Sequence, residues 1–140
     1  MLTSLNWLIY ALCSTLLYGF WGFFSKLATN HMNSYSILIY ETCGSILVAL
    51  FVLVRLDFKP QVEAWGIIYA FLIGIFGVLA TLFFLLAVSH GKVSVVITLT
   101  ALYPVVSILL AAVILKESIT MRQGLGIALA IAAMLLFASE

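Results

Sequence analysis

Five apolar stretches, each close to the length needed to cross a bilayer, fill nearly all of this 140-residue chain. They run over residues 7–25, 35–54, 65–89, 93–115 and 122–137. A helix needs about 20 apolar residues to traverse the hydrocarbon core. Backbone in hydrocarbon must satisfy its own hydrogen bonds, which leaves helices or closed barrels. The stretches are continuous apolar runs, not short strands of alternating character, and this selects helices. The expected fold is an all-α integral membrane protein, a five-transmembrane-helix bundle in a single membrane domain spanning 1–140. An odd number of spans places the two ends of the bundle on opposite sides of the membrane.

Composition closes off other classes. The chain is 66% hydrophobic and 8% charged, with a mean hydropathy of +1.30, against about 25% charged residues in soluble domains. The apolar excess must face lipid. A net charge of +1 offers no basic field for nucleic acid. Cys13 and Cys43 fall inside spans, outside any CxxC or zinc spacing, and read as apolar fillers. No metal and no cofactor is expected. No metalloprotease, nucleophile-elbow, P-loop or dinucleotide motif occurs, nor a pair of intramembrane carboxylates to divide acid and base roles, so an enzyme is not expected. The first stretch lacks a basic leader and a small-residue cleavage site and reads as a retained span.

Polar punctuation separates the spans. Asn6 and Ser34 stand where helix N-caps belong. Asp57 to Pro60 and His90-Gly91-Lys92 mark turns, and Thr120 with Gln123 fits a capping box. The short loops make neighbouring helices antiparallel. Arg55, Lys59, Lys116 and Arg122 lie on one side and Lys26 and Lys92 on the other. That bias favours a cytoplasmic N-terminus, by a margin small enough to permit insertion both ways. Small residues at spacing four (Gly124, Ala128 and Ala132; Ala70 and Gly74; Gly77 and Thr81) suit close helix approach, within one protomer or across a dimer seam.

Few residues can carry chemistry. Glu41 lies roughly 10 Å into the second span at 1.5 Å per residue, where a carboxylate is costly and faces a cavity or a partner. It reads as a proton-coupled or cation-binding group, or as a structural carboxyl bonded to a neighbouring helix. Ser45 extends its polar strip by helical spacing. Lys26, at the end of the first span, is a partner for Glu41 or for an anionic substrate, or a lysine snorkelling to the headgroups. Pro104, in the middle of the fourth span, removes a backbone hydrogen bond, and Thr100 and Ser107 flank it with hydroxyls. A static kink and a hinge or broken-helix surface are both compatible with it. Tyr18, Trp21, Tyr40 and Tyr103 form an interior aromatic set able to stack on a flat or cationic solute. His90 reads as a helix C-terminal cap.

The second half carries Tyr103-Pro104-Val105 inside a span, Lys116-Glu117 after it and Gln123-Gly124 at the next start. The first half carries Tyr18-Gly-Phe-Trp21-Gly22. In these features the whole chain resembles an EamA domain of the drug/metabolite transporter superfamily. Most members carry two such repeats in opposite orientations, and one repeat resembles the half-size form. The resemblance implies a secondary transporter of small metabolites or amphipathic drugs, often an exporter, in a prokaryotic cell membrane. Its implied partners are the lipid bilayer, a small-molecule substrate, and a second copy in an antiparallel homodimer or a paired half-size subunit. Transporters of this kind place substrate between inverted repeats near the midplane and work by alternating access. A membrane assembly or accessory subunit that needs a different partner chain is the alternative reading.

Overall fold

A computed structural model describes residues 3–138, with side chains described for 6–136. The described residues form helices and connecting turns, in two compact units that meet in sequence at His90 and Gly91. The first unit holds α1 (Thr3–Thr29), α2 (Ser34–Arg55) and α3 (Ala64–His90). The second holds α4 (Val93–Thr100), α5 (Tyr103–Ile114) and α6 (Met121–Ala138). Four helical stretches are long and apolar enough to cross a bilayer: Asn6–Thr29, Ser34–Arg55, Ala64–His90 and Val93–Ile114. The fifth, Met121–Leu136, is shorter. The chain is thus a multi-pass membrane-helix protein, with four spans set by length and a shorter apolar fifth helix.

In the first unit the core is confined to one end. Gly22 and Ser25 near the end of α1, Ser34 and Ile37 at the start of α2, and Phe84, Leu85 and Val88 near the end of α3 are buried. Alternating helix direction brings those three segments to the same end. Small side chains there allow close helix approach, which substitutes for a hydrophobic driving force absent in lipid. Toward the other end, Leu16, Leu47, Phe51, Phe71 and Ile73 are exposed on the single chain.

Local caps explain the helix limits. Asn33, not Ser34, caps α2: its backbone is extended (φ −72°, ψ 153°) and its Oδ1 accepts from the Ser36 N–H at 2.9 Å. Ser34 becomes the first helical residue and is buried. Asn6 lies inside α1, which starts at Thr3. At the start of α3 the Glu63 carboxylate accepts from the N–H groups of Trp65 and Gly66, an anion placed at the positive helix end. The capping box of Thr120 and Gln123 forms: Thr120 N–H donates to Gln123 Oε1 at 2.8 Å, and Gln123 N–H donates to Thr120 Oγ1 at 3.3 Å.

The end of α2 is a Schellman turn built without glycine. Phe58 N–H donates to the Leu53 carbonyl and Asp57 N–H to the Val54 carbonyl, both at 3.1 Å. Asp57 (φ 49°) and Phe58 (φ 57°) are both left-handed. A side chain in that conformation costs about 1 kcal/mol, and glycine is the usual residue there. Asp57→Gly is expected to stabilise the protein by about 0.5–1 kcal/mol, offset in part by glycine's larger unfolded-state entropy. Unfolding in mixed SDS micelles measures it, and a loss of stability would show that the Asp57 side chain contributes more than its backbone strain.

In the second unit, the expected fourth span of residues 93–115 is two helices. Ala101 (φ −64°, ψ 0°) and Leu102 (φ −74°, ψ −13°) form a tighter turn between them. Pro104 has no N–H, so the Thr100 carbonyl loses its helical donor. Val105 N–H turns to the Leu102 carbonyl instead, at 2.9 Å. The flanking hydroxyls bond within their own turns: Thr100 Oγ1 donates to the Val96 carbonyl, and Ser107 Oγ to the Tyr103 carbonyl at 3.4 Å.

Candidate functional site

The first unit brings two intramembrane polar residues together one layer inside its core. Trp21 Nε1–H donates to Glu41 Oε1 at 2.8 Å. Glu41 is seven residues into α2, Trp21 eight before the end of α1, and Phe84 six before the end of α3. At 1.5 Å per residue all three sit roughly 9–12 Å from the same end of the unit. The Trp21 and Phe84 rings pack at 4.6 Å between centroids, and Tyr18 meets Trp21 edge-on at 6.4 Å. Phe84 is buried while Trp21 and Glu41 are half-buried. The indole is therefore fixed by packing before it donates to the carboxylate.

That geometry leaves the carboxylate partly open. One oxygen is occupied by the indole. Among the described residues no second donor reaches the other. Ser45 Oγ donates to the Glu41 carbonyl at 3.1 Å, so its hydroxyl turns to the backbone and the carboxylate keeps its remaining acceptor capacity. Thr42 Oγ1 likewise bonds the Leu38 carbonyl at 2.8 Å. Ser25, buried beside Trp21, donates to the Trp21 carbonyl at 2.8 Å.

Lys26 does not pair with Glu41. Its Nζ donates to the Val88 carbonyl at 2.9 Å, across from α1 to α3. Val88 is fully buried and lies two residues before the end of α3. A cation there meets the negative end of the helix and one of its last carbonyls. His90 and Ser89 treat the same helix end alike: His90 Nδ1 and Ser89 Oγ each lie 2.8 Å from the Leu86 carbonyl.

Thr100, Tyr103, Pro104 and Ser107 belong to the second unit, at and just after the break between α4 and α5. Tyr103 is exposed, as are Tyr18 and Tyr40 in the first unit; of the aromatic set only Trp21 is half-buried. Sequence reasoning missed Phe84 and the Val88 carbonyl. Both lie in a helix apolar on every side, where no periodicity distinguishes one residue from the next.

The fold and this polar layer can be set beside known proteins. A protein of Methanocaldococcus jannaschii, the uncharacterized protein MJ1333.1, is 26% identical over 129 residues, covering 92% of this chain and 93% of the relative. The relative is therefore similar along nearly its whole length, as expected of a single-repeat form. No solved structure matches the chain. The model of the EamA-like transporter family matches residues 5–139, across both units. With that match running from α1 through α6, the chain belongs to the EamA-like transporter family.

Proposed function

We propose that this protein is a secondary transporter, an exporter of small metabolites or amphipathic compounds, acting by alternating access as an antiparallel dimer in a prokaryotic cell membrane. The observation that carries the reading is the 2.8 Å bond from Trp21 to Glu41 inside apolar helices. A carboxylate held at that depth by one donor, with its second oxygen open, suits reversible binding of a proton or a cationic group. Trp21 and Tyr18 offer ring faces and edges to a flat or cationic solute beside it. Ser45 borders the site, and Lys26 would receive an anionic group nearer the packed end of the unit, where it holds the Val88 carbonyl. In the second unit, Thr100, Tyr103, Pro104 and Ser107 surround the break and supply the flexible element. No nucleotide-binding motif is present in the sequence, so the drive is an ion or substrate gradient.

Pairing would set a second, inverted repeat against the one described here. Binding at the midplane between inverted repeats needs two repeats of opposite orientation, and this chain supplies one. The small margin in loop cations permits the two insertions that would provide the second. Reporter fusions at each end test this. Comparable signals from both orientations are expected; a single fixed orientation would remove the self-completed inverted dimer and leave pairing with a different chain.

A further inference from the structure

Phe84 gives no polar atom to the Glu41 layer, and the transport reading assigns it no part. Its place in the fold does. It is 5% exposed, whereas Phe83 beside it is 68% exposed, so α3 turns one ring of the pair inward. The buried residues of α3 are Phe84, Leu85 and Val88, and the last two are fully buried. Phe84 therefore stands on the best-packed segment of that helix, where side chains shift little. Across from it on α1, Gly22 is buried next to Trp21, and the missing side chain lets the helix approach closely.

The Phe84 and Trp21 rings meet at 4.6 Å between centroids with their planes 32° apart, inside the range of favourable aromatic pairs. Tyr18 reaches the indole only edge-on, at 6.4 Å, and is itself exposed. Of these two rings Phe84 is thus the fixed support. The same indole carries the 2.8 Å bond to Glu41. A tryptophan side chain turns about two bonds between discrete rotamers, and a jump at either would carry Nε1 away from Oε1. Contact therefore runs from α3 through α1 to α2, although among the described residues α3 gives Glu41 no hydrogen bond.

We propose that Phe84 is a positioning residue for the Glu41 site and couples that carboxylate to the placement of α3. While the two rings stay together, Trp21 occupies one carboxylate oxygen. When α3 slides or turns against α1, the indole loses its support, the bond is released and both oxygens are open. The part this relay plays in transport rests on the reading of Glu41 as the transport site; the relay itself does not.

The test reads the indole N–H directly. Nitrogen-15 tryptophan labelling of the full-length protein in nanodiscs gives three indole signals, one for each tryptophan of the chain, and Trp21→Phe identifies the Trp21 signal. It is expected downfield of those of Trp7 and Trp65, as a charge-assisted hydrogen bond requires. Phe84→Leu keeps an apolar side chain but no flat ring. It is expected to move the Trp21 signal toward the other two and to speed its exchange with solvent by up to about tenfold, the scale of an aromatic pair. Phe84→Tyr keeps the ring and is expected to leave the signal in place. Leu85→Ala removes packing from the same buried segment and is expected to lower stability without moving the signal. Should Phe84→Leu fail to fold, Phe84→Met is read in the same way. A Trp21 signal unmoved by loss of the ring overturns the proposal, since the hydrogen bond would then hold the indole unaided. Equal movement with Leu85→Ala or Phe84→Tyr also overturns it, since any disturbance of the α3 core would then act alike. Ethidium efflux from proteoliposomes separates the relay from the transport reading. Efflux lowered by Phe84→Leu and kept by Phe84→Tyr supports both, and a moved signal with unchanged efflux overturns the positioning role. Signals that move as expected in a protein that exports no ethidium uphold the relay and count against the transport reading alone.

Discussion

Glu41→Gln is expected to reduce transport at least about tenfold while the protein still folds. The amide oxygen can accept the Trp21 N–H as the carboxylate oxygen does, so packing around the indole is kept and only the negative charge is lost. Tenfold in rate corresponds to about 1.4 kcal/mol of barrier, a modest demand on an intramembrane charge. Ethidium efflux from proteoliposomes, followed across a range of pH, measures it. The variant is expected to lose both the rate and its dependence on pH. Trp21→Phe removes the donor but keeps a ring against Phe84, so it is expected to retain more activity than Glu41→Gln. If Glu41→Gln transports like the unaltered protein with the same pH profile, Glu41 is a structural carboxyl.

Lys26→Met should destabilise the first unit by about 1.5 kcal/mol, the lower range for a hydrogen bond to a charged group. The bond from Nζ to the Val88 carbonyl joins α1 to α3 at the packed end of the unit. Methionine keeps the apolar stem and loses only the ammonium. Lys26→Arg is expected to recover most of the stability, because guanidinium N–H groups can also donate to the carbonyl. Unfolding in SDS-containing micelles reads both. A lysine that merely reached for headgroups would give a change within about 0.5 kcal/mol for Lys26→Met, as surface substitutions do.

The helices were legible because apolar length is a coarse signal that survives without knowledge of contacts. The capping box at Thr120 and Gln123 was legible too, because its partners lie three residues apart. Glu41 and Trp21 could each be singled out as costly or aromatic residues inside a span. Their hydrogen bond could not, since it joins two helices and depends on rotation about each axis. The same applies to Lys26, whose acceptor is a main-chain carbonyl with no side-chain signature. Ser34 reads as a cap from sequence because its side chain suits that role, and only the backbone angles show that Asn33 holds it instead. Pro104 announced a disturbance in the fourth span. It did not say that the disturbance divides the span at Ala101 and Leu102.

That division has a consequence for how lipid can wet the second unit. At 1.5 Å per residue α4 is roughly 12 Å long and α5 roughly 18 Å, so neither rod alone crosses a hydrocarbon layer of about 30 Å. Their joint must fall within the greasy interior. Acyl chains have nothing to donate to a carbonyl stripped of its helical partner. The Thr100 oxygen is therefore a main-chain acceptor at hydrocarbon depth that acyl chains leave unsatisfied, and a polar side chain or a trapped water is what can answer it.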